Sequence, residues 1–109
     1  MSVSIVWIDG IVVKIYHFSD DRMERRTIHV DPDPAKFGAE MSRHLRDSRQ
    51  IVLLSPNFTG RELESVLKAD HPEIGQRIVG CEALADAQDA RIAEYAVRYF
   101  RKPIKAVSG

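Results

Sequence analysis

Near residue 31 the hydrophobic pattern of this 109-residue chain changes period, and that change limits the folds open to it. Before it, Val3 to Ile8 and Ile11 to Phe18 are β-branched and aromatic stretches separated by Asp9-Gly10, a strong two-residue hairpin signal. In the second stretch Ile11, Val13 and Ile15 share one face while Lys14 and Tyr16 share the other, as in a strand with one wet side. Ser19-Asp20-Asp21-Arg22 reads as a turn. Glu24 to Val30 then alternates Glu24, Arg26, Ile28 and Val30 against Arg25, Thr27 and His29, a charged pattern suited to a sheet edge. Three strands joined by tight turns run antiparallel.

Beyond residue 31 helix and strand signals alternate. Asp33 can cap a helix with Pro34 in its first position, and Phe37, Met41 and Leu45 follow at steps of four as one apolar stripe. Gln50 to Leu54 is a short run whose apolar residues do not alternate, as expected of a central strand covered on both faces, and Ser55-Pro56 ends it. Thr59-Gly60-Arg61-Glu62 has the form of a capping box, opening a second helix at Gly60 with Leu63, Val66 and Leu67 on its buried face. His71-Pro72 stops that helix. Arg77 to Glu82 is a fifth strand, and Asp86 is expected to open a last helix with Ile92, Ala93, Ala96, Tyr99 and Phe100 inward, closed by Pro103. Strands separated by a helix are joined by right-handed crossovers and lie parallel. The resulting order, βββαβαβα, is the ribonuclease H-like topology: an α/β fold with a mixed five-stranded sheet and helices on both faces, read as a single domain over residues 1–109.

Composition narrows the function classes. With 44% hydrophobic and 29% charged residues the chain has globular rather than disordered character. Sixteen Lys and Arg balance sixteen Asp and Glu, so no global field draws it to nucleic acid or membrane and any polyanion site must be a local patch. Cys81 is the only cysteine, which excludes an internal disulfide and a multi-cysteine zinc site and fits a reducing compartment. The apolar run Ile5 to Ile8 stops at Asp9, so neither a signal peptide nor a membrane span is expected, and the cytoplasm is the expected location.

In an open sheet of this kind ligands favour the carboxyl ends of the parallel strands, where Asp9, Ser55 and Glu82 fall. Ser55, Asn57, Thr59 and Gly60 form a candidate anion loop, because the start of a helix offers unpaired N–H groups and a positive dipole end. The competing reading is structural, with Thr59 and Glu62 only capping a helix and Phe58 plugging the top of the core. A two-metal nuclease needs a full set of carboxylates. Asp9, Glu40, Asp86 and Asp89 are available, yet Ser55 stands at the fourth-strand position, and a neutral hydroxyl cannot share the charge of two divalent cations. No catalytic residue, metal ligand or cofactor is therefore assigned.

Charge is uneven along the chain: Glu62 to Glu94 contains eight acidic and three basic residues, while Arg98, Arg101, Lys102 and Lys105 crowd the C-terminal part. With Arg43, Arg46 and Arg49 these are candidates for phosphate contacts to RNA, although basic helix ends also serve the dipole of their own helix. His17, His29, His44 and His71 show no metal spacing and read as surface or turn residues. Cys81 reads as a small buried group, and Trp7 as core. Tyr16 and Phe18, if exposed, would favour a homodimer through an open sheet face.

The stretch Ile51-Val52-Leu53-Leu54-Ser55-Pro56-Asn57-Phe58-Thr59-Gly60-Arg61-Glu62-Leu63 resembles the strand, loop and helix start in the middle domain of Pelota and of archaeal and eukaryotic class-1 release factors. Trp7-Ile8-Asp9, Ile28-His29-Val30-Asp31 and Arg77-Ile78-Val79-Gly80-Cys81-Glu82 extend the likeness. As a whole the chain is similar to the small bacterial translational machinery proteins. The resemblance implies the same ribonuclease H-like fold and a non-enzymatic interaction module associated with the ribosome, structured RNA or the translation apparatus, with no membrane partner. Release factors carry a Gly-Gly-Gln tip between the third strand and the first helix. Here Asp31-Pro32-Asp33-Pro34-Ala35-Lys36 fills that link, so peptide release is not implied. Related small proteins often place a run of histidines there, against only His29 nearby in this chain, so no metal-binding role is carried over. The alternatives from other classes are a metal-dependent nuclease or phosphotransfer enzyme and a protein-only regulatory subunit.

Overall fold

The chain runs β1 (Ser2–Ile8), β2 (Val12–Ser19), β3 (Arg22–His29), α1 (Pro34–His44), β4 (Ser48–Ser55), α2 (Thr59–Asp70), the single turn α3 (Pro72–Gly75), β5 (Ile78–Ala83) and α4 (Asp89–Phe100), in a computed structural model that describes residues 2–20 and 22–101. Strand order is β3-β2-β1-β4-β5. The first three strands pair antiparallel as a ribbon, and β1, β4 and β5 pair parallel. This is the ribonuclease H-like α/β arrangement expected from the change of period. Charged β3 lies at one edge, where Arg22, Glu24, Arg25 and Arg26 discourage pairing with another chain. Asp21, Lys102, Pro103 and Lys105 lie outside the described residues.

Side-chain alternation in β1 sorts the core into two layers. On one face Phe37, Met41, Leu45, Leu63, Leu67 and Ile74 pack on Val6, Ile8, Val13, Ile15, Ile51 and Leu53. On the other, Leu84, Ile92, Tyr95 and Ala96 pack on Val3, Ile5, Trp7, Tyr16, Phe18, Val52 and Leu54. Each fully buried aliphatic or aromatic side chain contributes about 1.5–3 kcal/mol relative to exposure. Asp33 caps α1 as expected, accepting from the N–H groups of Ala35 at 3.0 Å and Lys36 at 3.3 Å.

Several expectations are corrected. The hairpin turn is Gly10-Ile11 rather than Asp9-Gly10, since Ile8 pairs with Val13 and the Asp9 N–H donates to the Val12 carbonyl. Asp9 stands just before the turn, and its Oδ1 accepts from the N–H groups of Ile11 and Val12, both at 2.9 Å. Those bonds hold its carboxyl below the usual range. Gly10 sits at φ 100, where its lack of a Cβ is needed, and Ile11, 71% exposed in the turn, does not join Val13 and Ile15 in the core.

The second sheet face is not open. Tyr16 and Phe18 are 0% and 2% exposed because α4 covers them, which removes the basis for a homodimer through that face. Helix α4 crosses the face from β3, where Asp89 meets Arg25 at 3.2 Å, to β5, where the Tyr99 ring lies on Gly80. It starts at Asp89 behind Gln88, not at Asp86, and it turns Tyr95 inward while Ala93 is only half-buried. The Trp7 indole N–H donates to the Leu84 carbonyl at 2.9 Å, tying the approach to α4 onto β1.

His17 is not a surface residue. Its Nδ1 lies 2.7 Å from the Ser4 hydroxyl, itself 2.5 Å from the Ser48 hydroxyl, and both serines are fully buried. Burial holds the imidazole below its ordinary 6.5, with Glu24, Arg26, His44 and Asp47 around it. The folded chain thus resists a proton that the unfolded chain accepts. Stability is fully present above pH 6.5 and falls as pH drops from there toward the folded value. Urea unfolding at a series of pH values should show this decline, and His17→Gln should flatten it. An unchanged slope in the variant would assign the effect to another group.

Candidate functional site

Every parallel strand delivers its carboxyl end to one rim of the sheet, and the β4–α2 loop is built there from its own polar groups. The Ser55 hydroxyl donates to the Asn57 carbonyl at 2.6 Å and accepts from the Gly60 N–H at 3.2 Å. Asn57 Oδ1 accepts from both the Thr59 N–H at 2.9 Å and the Thr59 hydroxyl at 2.5 Å. Its amide nitrogen donates across the rim to the Asp9 carbonyl at 3.2 Å, fastening this loop to the β1–β2 turn. The capping box is therefore not formed as expected. Asn57 and Ser55 cap α2, the Thr59 hydroxyl turns back to Asn57, and the Glu62 N–H bonds the Phe58 carbonyl. Phe58 is 77% exposed and plugs nothing. The Thr59 and Gly60 N–H groups that would meet an anion are engaged by Asn57 and Ser55.

Gly60 permits this closure. A Cβ there would lie 2.8 Å from the Ser55 hydroxyl oxygen, 3.3 Å from Ser55 Cβ and 3.8 Å from the Cys81 sulfur. Cys81 is half-buried on β5, and burial pushes its thiol up, away from the thiolate form a nucleophile needs.

The acids weighed for a metal site do not converge. Asp9 is committed to its turn, Glu40 is on α1, and Asp89 is on α4 beneath the opposite face, paired with Arg25. Among the described residues no three His, Cys, Asp or Glu side chains are placed to hold a metal ion.

The basic candidates fall into two groups. Arg43 lies in the last turn of α1, Arg46 in the turn that follows and Arg49 at the start of β4, at the amino rim of the parallel strands. Arg46 and Arg49 line a surface groove of about 450 Å³ together with Asp47, Ser48 and Arg77, whose guanidinium donates to the carbonyls of Arg46 at 2.7 Å and Ser48 at 3.2 Å. Arg43 lines a neighbouring groove with Glu24, Arg26, His44 and Asp47. Sequence reading missed Arg77 and Arg26, since nothing local marks a strand-edge arginine as part of a cluster made by distant segments. The second group lies on α4. Arg98 is 3.4 Å from Glu82 and 4.9 Å from the Tyr95 ring centre, and Arg101 ends the helix in the left-handed conformation. Glu82 also accepts from the Tyr99 hydroxyl, which pushes that phenol up to about 12.

No family model matches the chain, and no curated protein matches it. Solved structures do. Pelota from Archaeoglobus fulgidus superposes with a TM-score of 0.71 at 14% identity, covering 88% of this chain and 31% of that one. The archaeal translation termination factor aRF1 gives 0.60 at 14% identity, covering 92% and 40%. A Saccharomyces cerevisiae translation termination-like factor involved in RNA quality control pathways gives 0.61 at 12% identity, covering 91% and 34%. The fold is shared with these translation factors. At such identities the likeness establishes the fold alone, and the chain spans about a third of their length.

Two substitutions test the rim. Gly60→Ala forces the Ser55 hydroxyl away and should cost about 1–3 kcal/mol in chemical denaturation. Asn57→Ala removes the cap and the link to Asp9, at about 1–2 kcal/mol. Losses near zero in both would show that the loop is not held by these contacts.

Proposed function

We propose that this chain is a non-enzymatic binding module of the translation apparatus, which holds ribosomal or other structured RNA through its amino rim. The observation that carries the reading is the gathering of Arg46, Arg49 and Arg77 around one groove, with Arg43 and Arg26 beside it, on a fold shared with Pelota and a release factor. Arg77 is fixed by backbone carbonyls, while the exposed Arg43, Arg46 and Arg49 reach outward to phosphates. Arg98 and Arg101, with Lys102 and Lys105 beyond the described residues, form a secondary contact, weakened by the pairing of Arg98 with Glu82. The likeness to small bacterial translational machinery proteins and a cytoplasmic location belong to the same proposal. No helix among the described residues is long and apolar enough to cross a membrane. Absence of catalysis is proposed on two grounds: Ser55 stands where a metal-binding carboxylate is needed, and the Asp9 carboxylate is taken by its turn.

Co-sedimentation with ribosomes across a salt series tests the reading. Binding should weaken as salt rises, by close to one unit of logarithmic slope per phosphate contact. Charge reversal of Arg43, Arg46 and Arg49 to Glu should abolish it, and reversal of Arg98 and Arg101 should reduce it less. Binding insensitive to salt, or none, removes the RNA proposal and leaves a protein-only subunit. Magnesium-dependent cleavage of a labelled RNA that vanishes in Asp9→Asn would establish the nuclease instead.

A further inference from the structure

Far from the arginines, at the carboxyl rim, the mouth between α1 and α2 opens as a groove of about 320 Å³. Its floor is apolar: Ile8, Phe37 and Leu63 are buried core residues seen from above, and Val30 and Val66 are half-buried beside them. The charged residues that line it, Asp31 and Glu62, are both acidic. Asp31 accepts from the Asp33 N–H at 2.9 Å, while the Asp33 carboxylate caps α1. Apolar surface continues outside the groove. The Ile11 carbonyl accepts from the Val30 N–H at 2.8 Å, which sets the backbone of the 71% exposed Ile11 next to Val30 at the edge of the groove. An apolar pocket this size suits one bulky side chain, and the sign of its rim selects what flanks that side chain.

We propose that this groove docks a basic segment of a protein partner, which inserts one bulky apolar side chain between α1 and α2 and sets Lys or Arg against Asp31 and Glu62. Charge complementarity picks this occupant over a nucleic acid, whose phosphates the same carboxylates repel. The surface is separate from the amino rim, so it stands or falls independently of RNA binding.

The test is an amide-shift titration of the isotopically labelled chain with three short synthetic peptides of Lys and Leu, Glu and Leu, or Lys and Ser. The Lys-Leu peptide should move the amides of Gly10, Val30, Asp31 and Thr59 to Val66, with little change elsewhere. Glu62→Lys should weaken that binding about tenfold, and Ile11→Ser severalfold, while Arg46→Glu leaves it unchanged. Ile11→Ser alters an exposed side chain, so it keeps the test decisive if Glu62→Lys disturbs α2. Shifts scattered over the molecule overturn the proposal, as does equal binding of the Glu-Leu peptide or indifference to both variants. Shifts of the same amides on raising protein concentration without peptide would assign the groove to a second copy and overturn it too.

Discussion

Two strands without a polar face govern this molecule. In β1 the residues Ile5, Val6, Trp7 and Ile8 are all buried, and in β4 so is every residue from Ile51 to Ser55. Such strands need cover above and below, and α1 and α2 supply one side while α4 supplies the other. Because the two strands are parallel neighbours, the chain must cross over between them, which sends its connections to opposite rims. The β1–β2 turn, the link before α1 and the β4–α2 loop collect at one rim. The α1–β4 junction and the start of β5 collect at the other. Separation of the two candidate surfaces is thus a result of strand burial, not of any local motif.

How far the sequence was legible follows from the range of each interaction. Element order was readable because the periods of strand and helix differ and because caps such as Asp33 act within a few residues. The hairpin shifted by one residue because Asp is equally at home just before a turn, where its carboxylate gathers the N–H groups of Ile11 and Val12. Thr59 and Glu62 fitted a capping pattern, yet Asn57 and Ser55 compete for the same backbone donors and hold them. Tyr16 and Phe18 were placed on the correct face by alternation. Alternation cannot tell whether a helix some seventy residues later covers that face, and α4 does.

The site was less legible than the fold for the same reason. Seven basic residues read as one possible patch, but the topology separates those at the α1–β4 junction from those on α4 and recruits Arg77 and Arg26. His17 looked unremarkable on a half-exposed strand, and only the pairing of β2 with β1 and of β1 with β4 brings Ser4 and Ser48 to it. What a residue does here depends on partners brought from distant segments, and those partners are set by sheet order.

Arg46, Arg49 and Arg77 stand at one rim with Asp47 among them, and Asp31 and Glu62 line the groove at the other. The sheet between the two rims fixes the direction in which each one faces, so whatever is held at one leaves the other turned away from it.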